Sequence, residues 1–260
     1  MDNKIFGERL REKYRERFRN GTGQAIRAPE SRHILLSGTD DHLIIRLDDQ
    51  AANESNMQES AGAFDAWLLA VRHWLGVRRF EIDLVGTTEL RPGHGGRTWY
   101  RLLTLKRLLG DELRFGPSLS QALAAWAEVT EIWLNVADKG RDSKIPTMLL
   151  SESDYELALC YDPRLSAELA QGFGLQQSRA GEHWKLCRQF PVGMFDRDPY
   201  QGAWRKIGTK GKSAIDLVGL STDNVFHLFE LKKPKAIAIG ALSELLFYTS
   251  LLNPDYSPAG

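Results

Sequence analysis

Apolar side chains recur along the chain with two periods, and the changes between them mark out the elements. Phe6, Leu10, Tyr14 and Phe18 return every fourth position with Arg and Lys between them, the spacing of an amphipathic helix over 4–19. Its basic residues read as the solvated face of a docking helix. Two strand-like runs, 33–36 and 42–47, flank the turn-forming Ser37-Gly38-Thr39-Asp40-Asp41 and predict a hairpin. A polar stretch, 48–60, leads into a helix over 61–75 and a strand over 80–85. The loop Arg91-Pro92-Gly93-His94-Gly95-Gly96 follows, then helices over 98–109 and 119–129 and a strand over 131–136. Residues 137–146 are polar and punctuated by glycine and proline, which places a boundary there. Beyond it the pattern predicts strands over 147–150 and 155–161, a helix over 164–172, a strand over 183–190, strands over 214–220 and 225–233, and a helix over 237–252.

That order predicts an α/β chain in two parts: a mixed α/β N-terminal domain over 1–146 that selects substrate or partner, and a second domain over 147–260. The composition is that of an ordinary globular protein: 260 residues, 42% hydrophobic and 26% charged, long enough to bury a sizeable core. With 34 Lys and Arg against 34 Asp and Glu, the chain is neither a uniformly basic nucleic-acid coat nor an acidic tail. Charges alternate through residues 1–9, where an export signal would be apolar, and the longest apolar stretch, 236–252, is broken by Glu244 and falls short of the ~20 residues that span a bilayer. The expectation is a cytoplasmic protein with no membrane partner. Cys160 and Cys187 form neither a disulfide framework nor a zinc pattern and read as buried apolar residues.

The candidate chemistry lies in the last 60 residues. Asp216 sits on one predicted strand, and Glu230-Leu231-Lys232 closes the next, after the apolar run Val225-Phe226-His227-Leu228-Phe229. The same acid-x-Lys spacing in Asp2-Asn3-Lys4 and Asp142-Ser143-Lys144 lacks a buried strand. Side chains alternate along a strand, so Glu230 and Lys232 share a face with Phe226 and Leu228. A three-residue loop, Thr222-Asp223-Asn224, with Asn224 in the left-handed region, places Asp216 directly opposite Glu230. A four-residue loop over 221–224 puts the two carboxylates on opposite faces. In the first register they lie close enough to converge on one hard divalent cation, and the cost of burying two acids on apolar strands argues for such a cation or for Lys232. Mg²⁺, with Mn²⁺ as substitute, would activate a water and neutralise a phosphodiester, with Lys232 beside the nucleophile.

These residues resemble the PD-(D/E)xK nuclease superfamily. The likeness is carried by 211–220 around Asp216, by Phe229-Glu230-Leu231-Lys232-Lys233 and by Ala241-Leu242-Ser243-Glu244-Leu245-Leu246-Phe247-Tyr248. The resemblance implies a restriction-endonuclease-like mixed sheet flanked by helices in the C-terminal half. It also implies Asp216 and Glu230 as metal ligands and Lys232 as the catalytic lysine of a Mg²⁺-dependent nuclease; DNA is favoured over RNA as the substrate. Many members carry Gln-x-x-x-Tyr on the following helix; Tyr248 matches and Glu244 stands in the Gln place. An acid on the first core helix is common in the family, and Glu168 and Glu182 are the candidates. A further strand normally follows the Tyr-bearing helix. Tyr248, Lys233, Lys235, Lys210, Lys212, Arg205 and Trp204 are the candidate nucleic-acid contacts. A homo-oligomer or a larger defence or repair complex is the assembly open to such a protein.

Other readings stand beside this one: a catalytically inactive nuclease-like subunit that binds nucleic acid or protein, and an interaction module in which Lys232 only neutralises a carboxylate. Gly211-Lys212-Ser213 is no phosphate-binding loop, because Lys206 occupies the place of the first glycine and a strand follows. The Glu81-Ile82-Asp83 echo of the Asp216 strand lacks an acid-x-Lys partner and reads as a strand end. Charge is sorted along the chain: 203–235 carries +4, 1–20 carries +3 and 40–65 carries −6. That sorting predicts salt-sensitive binding confined to one face.

Overall fold

The computed structural model describes residues 2–17, 32–134, 151–177, 184–198, 205–208, 213–232 and 238–253. Helix α1 (Asn3–Arg17) buries Phe6 and Leu10 and precedes the antiparallel hairpin β1 (Ile34–Gly38) and β2 (His42–Leu47). Next come α2 (Asp49–Asn53), α3 (Phe64–Leu75), β3 (Arg79–Leu84), α4 (His94–Leu109), β4 (Leu113–Phe115), α5 (Pro117–Ala124) and β5 (Trp133–Leu134). Strands β1 to β4 form one sheet in chain order, with β2, β3 and β4 parallel. Parallel neighbours need a crossover, and α2 with α3 and then α4 supply the two crossings. Leu43, Ile45 and Leu47 stand opposite Phe80, Ile82 and Leu84, all buried, so alternation gives the sheet an apolar face. Near the end of β3, the Asp83 carboxylate accepts the Leu119 N–H of α5 at 2.9 Å, a structural anchor at the Glu81-Ile82-Asp83 echo.

The remaining elements are α6 (Glu152–Tyr161), α7 (Pro163–Phe173), β6 (Leu186–Pro191), β7 (Met194–Phe195), β8 (Ala214–Leu220), β9 (Phe226–Phe229) and α8 (Ala238–Leu252). Strands β6, β8 and β9 form an antiparallel sheet in that order, and β7 pairs with β5. The fold is mixed α/β. Residues from 1–146 and from 147–260 share one hydrophobic cluster, in which Ile45, Leu102 and Trp126 belong with Met194, Ile207, Ile215, Phe247 and Tyr248. A buried ion pair reinforces that union. Arg101 on α4 binds Asp65 on α3 (Nε to Oδ2, 2.8 Å), while the Ser243 hydroxyl on α8 donates to Asp65 and accepts from Arg101, both at 2.7 Å. Among the described residues, no helix is long and apolar enough to cross a membrane.

Several expectations change. Residues 155–161, expected as a strand, belong to helix α6, because Ser151 and Asp154 form a reciprocal capping box that starts a helix ahead of the alternating tyrosines. Helix α4 begins at His94, inside the expected loop, and the polar stretch 48–60 contains α2, capped by the Asp48 carboxylate on Ala51 N–H at 2.9 Å. Strand β9 ends at Phe229, short of residue 233. The cysteines are not both buried: Cys160 is half-buried and Cys187 exposed. The expected boundary at 137–146 and the strand at 147–150 lie outside the described residues.

Candidate active site

The β8–β9 hairpin sets the geometry. Its loop is Thr222-Asp223-Asn224, with Asn224 at φ 64° and the Asn224 and Ser221 N–H groups bonded to Ser221 and Val225 carbonyls, both at 3.0 Å. Asparagine tolerates that left-handed conformation better than most residues. The ladder pairs Leu217 with Phe229 and Val218 with Leu228. Extended one step beyond its last pair, that register sets Asp216 across from Glu230, as the three-residue loop requires. There the ladder gives way to a side chain: the Asp216 carboxylate accepts the Leu231 N–H at 2.8 Å.

Glu230, Lys232 and Glu244 meet beneath this hairpin end. Lys232 Nζ lies 2.5 Å from Glu230 Oε1 and 2.7 Å from Glu244 Oε2, with the Glu230 side chain 2% exposed and that of Glu244 wholly buried. The second Glu244 oxygen accepts from Gln58 Nε2, which arrives from the loop between α2 and α3. Glu230 Oε2 is buried without a hydrogen-bond partner. Burial, then the nearby Glu244 and Asp216 charges, push the Glu230 carboxyl up to about 9 against the pull of Lys232. Asp216 is raised chiefly by burial and also by Glu244 and Glu152, while the Leu231 N–H and Lys232 oppose the rise. Burial alone would lower Lys232; its two carboxylate partners more than offset this and hold the ammonium above its ordinary value.

Helix α6 brings acids that the sequence reading missed. Glu156 is buried, its carboxylate accepting from Gln189 Nε2 at 2.8 Å and lying 3.4 Å from Arg188. Its carboxyl is raised by burial and by the charge of Asp216. Gln189 itself has φ 52° and lies between the pairs Arg188–Leu217 and Phe190–Ile215, at the place in the ladder across from Asp216. Strain of this kind concentrates at functional sites. Of the two acids expected on a first core helix, Glu168 lies on the surface of α7, ion-paired to Arg164 at 3.3 Å, and Glu182 is outside the described residues. The Ser151-x-x-Asp154 capping box was the signal for the missed helix.

The structure brings Asp216, Glu230 and Lys232 together and adds Glu244 and Gln58. Tyr248 is buried and donates its hydroxyl to the Ala214 carbonyl at 3.2 Å, which braces the start of β8. Arg205 lies over the Trp126 ring at 5.3 Å and pairs with Asp196 at 3.5 Å. Trp204, Lys210, Lys212, Lys233 and Lys235 lie outside the described residues. Arg97 on α4 is a further buried cation near the site. It donates to Asn56 Oδ1 at 3.2 Å and to the Ser213 hydroxyl, and burial lowers it to about 10.

Among the described residues, no group of three or more His, Cys, Asp or Glu is arranged to hold a metal ion. A hard cation that retains its waters requires only one or two carboxylates. Asp216 and Glu230 fit that donor set: the hairpin register, extended one step, sets them across from each other, and one Glu230 oxygen is buried without a partner. No family model, curated protein or solved structure matches the chain.

Proposed function

We propose that the chain is a Mg²⁺-dependent nuclease that hydrolyses phosphodiester bonds, DNA in preference to RNA. Its core over 147–260 would be restriction-endonuclease-like, and residues 1–146 would select substrate or partner. The observation that carries this reading is the register of the β8–β9 hairpin, which opposes Asp216 and Glu230 on one face and leaves a Glu230 oxygen buried and unpartnered beside Lys232. The order α6, α7, β6, β8, β9, α8 and the acids of α6 near Asp216 support the same core. In this reading Asp216 and Glu230 hold the ion, and Glu230 gives up its proton to do so. Bound Mg²⁺ supplies an acidified water and neutralises phosphodiester charge. Lys232 orients the nucleophile and stabilises charge that develops on the phosphorus oxygens.

The test is metal-dependent cleavage of plasmid DNA and of RNA by the wild type, Asp216→Asn and Lys232→Ala. Loss of cleavage in both variants is expected; unchanged cleavage in either refutes the assignment. One observation favours a second reading. Lys232 is already gripped by two carboxylates, Glu230 and Glu244, which suits a nuclease-like subunit that binds nucleic acid or protein without catalysis. Titration with Mg²⁺ or Mn²⁺ separates the two, since absence of binding at millimolar ion with nucleic-acid affinity intact selects the second.

A further inference from the structure

Gln58 lies in the loop between α2 and α3, 186 residues before Glu244 in the chain, yet its amide donates to the Glu244 carboxylate. Two features make this contact more than a surface accident. The loop backbone lies flush on helix α8 at Gly240, where a Cβ would come within 2.3 Å of the Gln58 carbonyl oxygen. Residue 240 is one helical turn from Glu244, on the same face, so a backbone seated there delivers the Gln58 side chain to that carboxylate. The neighbouring residue Ser243 is tied to Asp65 and Arg101, which fixes this turn of α8 against α3 and α4. Gln58 is itself exposed, whereas the carboxylate it reaches is wholly buried. An exposed glutamine loses nothing by staying in water, and here its amide is directed inward.

We infer that Gln58 is a positioning residue for the site and acts on Lys232 through Glu244. By fixing one oxygen of Glu244, it aims the other at Lys232 Nζ and so sets where the ammonium stands relative to Glu230 and Asp216. The segment 1–146 thereby completes the site, in addition to any part it plays in selection. The activity arm of the test rests on the nuclease reading; the labelling arm does not.

The experiment compares wild type with Gln58→Leu and Gln58→Asn, each first checked for a native melting transition. The leucine removes the donor, and the asparagine keeps the amide but falls one methylene short. The first readout is amine acylation of Lys232 by mass spectrometry, without metal or nucleic acid, normalised to the exposed Lys13. Labelling of Lys232 should rise by about threefold in both variants, because a lysine whose Glu244 partner is no longer held in place spends more time out of its buried pair, where the reagent reaches it. The second readout is cleavage: kcat should fall by about 10–100-fold with KM for DNA within about twofold. In a Glu244→Gln background, Gln58→Leu should change labelling no further. Unchanged Lys232 labelling in both folded variants, or an undiminished effect of Gln58→Leu after Glu244→Gln, overturns the inference. A wild type that cleaves no nucleic acid while its Lys232 labelling still depends on Gln58 removes the nuclease reading and upholds the positioning role.

Discussion

Replacing Glu230 with glutamine should make the metal-free protein more stable, and increasingly so as pH rises. Glu230 is buried beside two other carboxylates, Glu244 and Asp216, with the Lys232 ammonium shared between it and Glu244. Its folded-state value is about 9 against an ordinary 4.5. Between these values the folded protein holds a proton that the unfolded chain releases, so stability is lost as pH climbs from the lower to the upper value. The steepest loss a single group can cause is about 1.4 kcal/mol per pH unit, which sets a ceiling of about 5 kcal/mol between pH 5 and 8.5. Because Glu230 titrates together with the neighbouring Asp216 and beside the Lys232 ammonium, the expected loss is lower, about 2–3 kcal/mol. Glutamine keeps the shape and never ionises, and Glu244 remains to pair Lys232.

The assay is thermal or urea unfolding in chelator, wild type against Glu230→Gln, at pH 5, 7 and 8.5. The variant should match the wild type at pH 5 and exceed it by roughly 4–12 °C at pH 8.5, at about 2–4 °C per kcal/mol for a chain of this size. On the nuclease reading, cleavage should be lost throughout. If Glu230 were simply the ion-pair partner of Lys232, its removal would strand a charge and destabilise by about 3–5 kcal/mol. A less stable variant, or a gain independent of pH, therefore refutes the reasoning.

Two further outcomes test the frame that holds the site. Arg101→Ala should destabilise the protein by about 3–5 kcal/mol, because it strands the buried Asp65 carboxylate and unties Ser243 of α8, measured by denaturant unfolding. Gly240→Ala places a Cβ 2.3 Å from the Gln58 carbonyl and should cost about 1–3 kcal/mol in the same assay, with the loop around Gln58 exchanging its amide hydrogens faster.

The legibility of the site in the sequence follows from how local each constraint is. Asp216 and Glu230 were legible together because a three-residue loop with Asn224 fixes register within a dozen residues, and strand alternation then fixes the face. Glu156 was hidden because Tyr155–Tyr161 alternates like a strand, and only the Ser151 capping box, four residues before Tyr155, overrides that pattern. Helix α2 and strand β4 are too short for periodicity to register. Gln58 carries no signal at all, being one polar residue in a polar loop, and its importance rests on a contact across 186 residues that only the fold creates. Glu244 was visible as a departure from the family pattern, but its hold on Lys232 was not.

The same contrast governs charge. Residues 40–65 looked like an acidic counterweight to a basic flank, yet arginines from elsewhere in the fold pair with most of those acids: Asp40 with Arg9, Asp41 with Arg79, Asp49 and Glu54 with the one Arg91, and Asp65 with Arg101. Apart from the buried Asp65–Arg101 pair these are exposed pairs that contribute little stability each, but together they weaken the stretch as a source of long-range field. The acids of the site are treated differently. Asp216, Glu230 and Glu244 lie close together under a single ammonium, so the cluster keeps an excess of negative charge in a buried place. Five acids of that stretch have an arginine within ion-pair distance, whereas these three share one lysine. That the fold leaves Glu230 with a bare oxygen and a raised affinity for protons is the arrangement expected where a cation from solution completes the balance.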